Sequence, residues 1–182
     1  MASQTTYEKK ISRYKWRDLA SLWESIVSGN TPGWEPGKAF EYLVLRAFEL
    51  EGAEVRWPYI VTIAGKEIER IDGFVYTDGL ACLVECEDSA ENADVAPIAK
   101  MRNQLLRRPA ATIGIVFSRS DFTESAITQA GFVAPQTLIL WHGEEIAYAL
   151  KRKSMRRVLV TKYRYCIEHG AQFYNITGKK LP

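Results

Sequence analysis

Residues 80–88 read L-A-C-L-V-E-C-E-D, an apolar run that ends with Glu85 and Glu87 one residue apart. In an extended strand successive side chains point to opposite faces, so Leu83, Glu85 and Glu87 share one face and Val84 and Cys86 the other. Two carboxylates so placed lie about 6–7 Å apart, and at an effective dielectric near 20 they repel by about 2–3 kcal/mol. Beside a core, that cost calls for a cation or a proton. Asp72, upstream in I-D-G-F-V-Y, belongs to the preceding strand-like segment, and the Asp78-Gly79 turn makes the two segments neighbours. Asp72 and Glu85 can therefore lie side by side. Glu41, at the margin of a helical apolar stripe, supplies a fourth acid. Oxygen-rich clusters of this kind select hard cations, above all Mg2+ (or Mn2+). Such an ion activates water and stabilises charge on a phosphoryl oxygen.

The elements that must position these acids are legible in outline. Apolar residues at helical spacing predict a helix over 16–27, and a second over about 37–51 follows Pro36 and stops at Gly52. Its stripe is Phe40, Leu43, Val44, Ala47 and Phe48. Three strand-like segments follow at 54–63, 68–77 and 80–87. Pro97 opens a helix that ends near Arg108-Pro109, with Ile98, Met101 and Leu105 on its apolar side. Lys100, Gln104 and Arg107 form a separate polar stripe at i, i+4, i+7 spacing. Residues 111–118 and 137–141 read as buried strands, separated by a short helix that Thr123 caps, and the chain is helical from 143. The predicted fold is α/β: a central mixed sheet flanked by helices, with extra helices at both ends.

At 182 residues, 47% hydrophobic and 25% charged, the sequence suits a single folded domain spanning 1–182 rather than a disordered chain. No apolar run approaches the roughly 20 residues that span a membrane, and the start M-A-S-Q-T-T-Y-E-K-K lacks the apolar core of a signal peptide. Three cysteines, Cys82, Cys86 and Cys166, fit neither a disulfide framework nor a four-ligand zinc site. A reducing, cytoplasmic setting is expected. The net charge of +2 hides a strong asymmetry. Residues 67–94 carry nine acids and one base, Arg70, whereas 151–182 carry nine bases and one acid, Glu168. An acidic centre between basic ends fits a cation site flanked by surfaces attracted to polyanions; solvated helix faces are the plainer alternative.

The ordered set G-K-A-F-E (Glu41), I-D-G (Asp72) and V-E-C-E (Glu85-Cys86-Glu87) resembles the PD-(D/E)XK nucleases of restriction-endonuclease-like fold. The helix I-A-K-M-R-N-Q-L-L-R-R-P and the strand T-I-G-I-V-F-S follow in the family's order, αβββαβ. The resemblance covers about 34–141, leaving 1–33 and 142–182 as basic terminal additions. It implies a metal-dependent endonuclease acting on DNA, with RNA as an alternative target, in restriction of foreign DNA or in repair. Glu41, Asp72, Glu85 and Glu87 would be the metal ligands. A homodimer would serve to cut both strands. Two departures stand out. Ile71 replaces the family's proline, and Glu87 stands where the family carries lysine. Glu87 is then an additional ligand or a base, or Lys100 reaches in from the next helix with the missing charge, or catalysis is lost. Loss would leave a nuclease-fold module that binds nucleic acid or a protein partner.

Each residue also has a plainer role. Asp72 before Gly73 suits turn chemistry, Glu85 and Glu87 suit a charged edge strand, and Glu41 suits a helix start. Gln104 and Arg107 are expected to contact phosphate. Lys151, Arg152 and Lys153, with Trp16, Tyr163 and Tyr165 interleaved among the basic ends, are expected to grip the nucleic-acid backbone.

Overall fold

The computed structural model describes residues 4–178. Lys179 and Lys180, counted above among the C-terminal bases, lie outside the described residues. Helix α1 (Gln4–Ile11) precedes α2 (Trp16–Val27), which buries Leu19, Leu22, Trp23 and Ile26, one stripe at i, i+3, i+4, i+7. Helix α3 (Lys38–Leu50) is apolar nearly all round and buries Ala39, Phe40, Tyr42, Leu43, Val44, Leu45, Ala47 and Phe48. A helix of that composition must be covered on every side, and α1, α2, the last helix (Met155–His169) and the sheet cover it.

Strands β1 (Glu54–Arg56), β2 (Tyr59–Ile63), β3 (Lys66–Ile71), β4 (Gly73–Thr77) and β5 (Leu80–Glu87) follow, then α4 (Val95–Leu105), β6 (Thr112–Ser118), α5 (Glu124–Gly131), β7 (Thr137–Trp141), α6 (Gly143–Arg152) and α7 (Met155–His169). The main sheet runs β1-β4-β5-β6-β7. The β1–β4 and β4–β5 pairs are antiparallel, and β5–β6 and β6–β7 are parallel. Asp78 and Gly79, both at positive φ, form the two-residue turn between Thr77 and Leu80. One apolar core lies between the sheet and α1, α2, α3, α6 and α7, and a second lies between the sheet's other face and α4 and α5.

The expected three strands between 54 and 87 are five. Pro58 has no N–H for a ladder, so the first segment breaks there. The second breaks at Asp72, which stands between strands rather than within one. Between β1 and β4 the chain thus inserts β2–β3, a separate two-stranded ribbon. The αβββαβ core is α3-β1-β4-β5-α4-β6.

Two glycines let the flanking helices close onto the sheet. A Cβ on Gly73 would meet Leu45 Cδ1 at 2.7 Å and the Arg56 carbonyl oxygen at 2.9 Å; one on Gly114 would meet Met101 Cγ at 2.7 Å. Helices α3 and α4, which carry Glu41 and Lys100, therefore approach the strands more closely than any side chain there would permit.

Candidate active site

Glu41, Asp72 and Glu85 converge from three elements and are all buried. Gly73 pairs with Val84, so Asp72 lies one step along from Gly73, at the level of Glu85. Having left the ladder, Asp72 turns its carboxylate back onto β5, where Oδ2 accepts the Cys86 N–H at 2.9 Å. Lys100 reaches across from α4 and donates to Glu85 Oε1 at 2.5 Å. Lys38, in the first turn of α3, donates to both oxygens of Glu41, at 2.9 and 2.7 Å.

The pocket is short of positive charge. Burial, and then the charge of Asp72, push Glu85 up to about 8 although Lys100 pulls the other way. The same causes in the same order push Glu41 up to about 7 against Lys38. Burial raises Asp72 against the pull of Lys100 and the Cys86 N–H. Burial opposes the charge of Lys100, but Asp72, Glu85 and Glu41 outweigh it and its pKa is raised. Both partners of the Glu85–Lys100 pair thus hold protons more tightly than usual. Burial and then the neighbouring carboxylates do this to Glu85, and the carboxylates against burial do it to Lys100.

Glu87 stands apart. The charges acting on it most are Asp94, Lys100 and Asp72, and it is not among those acting most strongly on Glu85. The repulsion expected between Glu85 and Glu87 is instead one among Glu85, Asp72 and Glu41. Glu87 is half-buried, and burial followed by Asp94 raises its pKa.

The donor set has the chemistry of a hard-cation site: three buried carboxylates, with Glu85 Oε2 buried and unpartnered among the described residues. The oxygens are not drawn together, however. Among the described residues no group of three or more His, Cys, Asp or Glu is close enough to hold a metal ion. Lys38 and Lys100 hold the outer two carboxylates instead.

Within the polar stripe of α4, Lys100 and Arg107 are exposed and Gln104 is not. Gln104 is buried, and its Nε2 donates to the Arg70 carbonyl at 3.2 Å. Arg107 pairs with the buried Glu69 at 2.6 Å, as does Arg108 at 2.9 Å. Lys100, Gln104 and Arg107 form a seam that ties α4 to β3 and β5, and so fix Lys100 relative to Asp72. An i, i+4, i+7 row shows that residues share a face but not what the face meets. Lys151, Arg152 and Lys153 are exposed but lie elsewhere. The chain just beyond them bonds to Glu51, where the Met155 N–H reaches Glu51 Oε1 at 2.5 Å. Glu51 is ten residues, or about 15 Å of helix, from Glu41. Tyr165 is occupied by stacking on Tyr174 at 4.0 Å. Lys38, which the sequence reading passed over, was signalled by its i, i+3 spacing to Glu41.

A family model described as "Restriction endonuclease" (Mrr_cat) matches residues 35–150, a span holding all three buried carboxylates and Lys100. The chain belongs to the restriction endonuclease family. Among solved structures it is similar to one described as "Protein of Unknown Function AF1548", with 20% identity over 72% of this chain and 77% of that one and a TM-score of 0.49. It is also similar to the MspJI restriction endonuclease, solved in complex with a 27-mer oligonucleotide. The identity there is 15% over 85% of this chain and 36% of that one, with a TM-score of 0.44. No protein of curated function matches the chain. No helix among the described residues is long and apolar enough to cross a membrane.

Proposed function

We propose that this chain is a metal-dependent deoxyribonuclease that hydrolyses phosphodiester bonds in DNA, in a cytoplasmic restriction or defence role, with repair as the second setting. The observation that carries this reading is the burial of Glu41, Asp72 and Glu85 within electrostatic reach of one another, with Lys100 held on Glu85. Glu41, Asp72 and Glu85 are the residues that would hold Mg2+ (or Mn2+). When bound, the ion supplies Lewis acidity and neutralises charge on the scissile phosphate.

The roles of the chain's own groups follow from their charge states. The surrounding carboxylates keep Lys100 protonated, so its Nζ acts as a donor to the attacking water or a phosphate oxygen and not as a base. Proton acceptance then falls to the carboxylate of Glu87, half-buried at the end of β5, its pKa raised by burial and then by Asp94. Glu69, with Arg107 and Arg108, holds the β2–β3 ribbon against α4 and keeps Asp72 in register with Lys100.

Incubation of supercoiled and linear DNA with Mg2+ or Mn2+ tests this reading, beside Glu85→Ala and Lys100→Met. Metal-dependent cutting by the parent protein, lost in both variants, is the expected result. A folded parent that cuts no DNA under any metal condition removes the enzyme reading. Binding of DNA or a protein without cutting would mark the rival, a non-catalytic module, which Glu87 in place of the family's lysine favours. Cutting of RNA alone would move the substrate class. Mass measurement in solution with DNA tests the homodimer.

A further inference from the structure

Two of the three buried carboxylates keep an oxygen in reserve, and one does not. Glu85 bonds Lys100 through Oε1 alone, and Asp72 bonds the Cys86 N–H through Oδ2 alone, among the described residues. Glu41 has both oxygens on one ammonium, Lys38 Nζ, whose side chain is only 22% exposed. A cation entering between the acids finds free oxygens on Glu85 and Asp72 but meets a resident positive charge at Glu41.

We propose that Lys38 is a built-in competitor for the metal ion: it occupies Glu41 until a divalent cation displaces it, and so sets the metal concentration at which the site assembles. The inference rests on the metal-dependent reading above. No covalent bond changes; one cation replaces another on the same carboxylate. The displaced ammonium has somewhere to go, because Lys38 also lines a cavity of about 140 Å³ together with Glu35, Tyr59 and Arg70. Lys38 is a positioning residue in this scheme, since it acts through Glu41.

The test is Mn2+ binding at pH 8 without DNA, followed by the electron paramagnetic resonance signal of the free ion. Lys38→Met should tighten binding by about tenfold, because it removes a unit charge within contact distance of the site. Lys38→Arg should bind as the parent does, and Lys38→Gln replaces the methionine variant if that variant does not fold. A purely structural lysine would leave metal affinity unmoved. Equal or weaker binding by folded Lys38→Met, or equal tightening by Lys38→Arg, overturns the proposal while leaving the nuclease reading intact. Failure of the parent and every variant to bind Mn2+ overturns both.

Discussion

The Glu85→Gln substitution isolates the cost of the cation-deficient pocket. Folded Glu85 holds its proton up to about pH 8, against an ordinary value of 4.5. Below 4.5 the group is protonated in both folded and unfolded chains and gives no pH dependence. Between 4.5 and 8 the folded state binds the extra proton, so stability falls as pH rises, by up to about 1.4 kcal/mol per pH unit. Above 8 the loss is complete, at about 5 kcal/mol. For a chain of this length that corresponds to about 10–20 °C in Tm. Glutamine keeps the oxygen that accepts from Lys100 but cannot ionise. In EDTA at constant ionic strength, parent and variant should therefore melt together near pH 4.5 and diverge steadily, with the variant the more stable at pH 8.5. The charges of Asp72 and Glu41 act on Glu85 and, after burial, contribute to that loss. Scanning calorimetry from pH 4.5 to 9 measures it. Parallel melting curves across that range would refute a carboxylate forced to ionise in a buried, anionic setting.

Other outcomes follow from the same geometry. Mg2+ at about one hundred times its Kd should stabilise the parent by about 2.7 kcal/mol, and Asp72→Asn should abolish that gain in a thermal-shift titration. Lys100→Met should lower cleavage by about two to four orders of magnitude and leave DNA binding in Ca2+ nearly unchanged by fluorescence anisotropy. Gly73→Ala places a Cβ 2.9 Å from the Arg56 carbonyl; urea unfolding should show a loss of about 1–3 kcal/mol. Lys162 and Glu145, paired at 2.5 Å and fully buried, should cost about 3–5 kcal/mol when Lys162→Met breaks the pair.

Local pattern and sequence order carried much of the fold. The stripe of Leu19, Leu22, Trp23 and Ile26 set α2, Asp78-Gly79 set the β4–β5 hairpin, and Thr123 caps α5 through its side chain to the Ala126 N–H at 3.2 Å. Contacts made at long range escaped. Nothing near Gln104 in sequence says that its amide meets Arg70, 34 residues away. Nor does the run K-R-K reveal that it sits by the far end of α3. The acids divided along the same line: Asp72 and Glu85 were linked by a short turn and could be paired on paper, while the lysines that answer them come from separate helices. Lys162 did leave a trace, since it occupies a core position in the stripe Met155, Val158, Leu159, Lys162 and Cys166. A charge on an apolar stripe demands a buried partner.

Strand β5 is the middle member of the five-stranded sheet, flanked by an antiparallel neighbour on one side and a parallel one on the other. Any displacement of Glu85 would have to drag both halves of the sheet with it. The β2–β3 ribbon, hydrogen-bonded outside that sheet, carries no such burden. Its tip at Ala64-Gly65, remote in sequence from Glu69 and Asp72, can change without shifting Glu85, so the surface can vary while the strand that carries the carboxylate stays where it is.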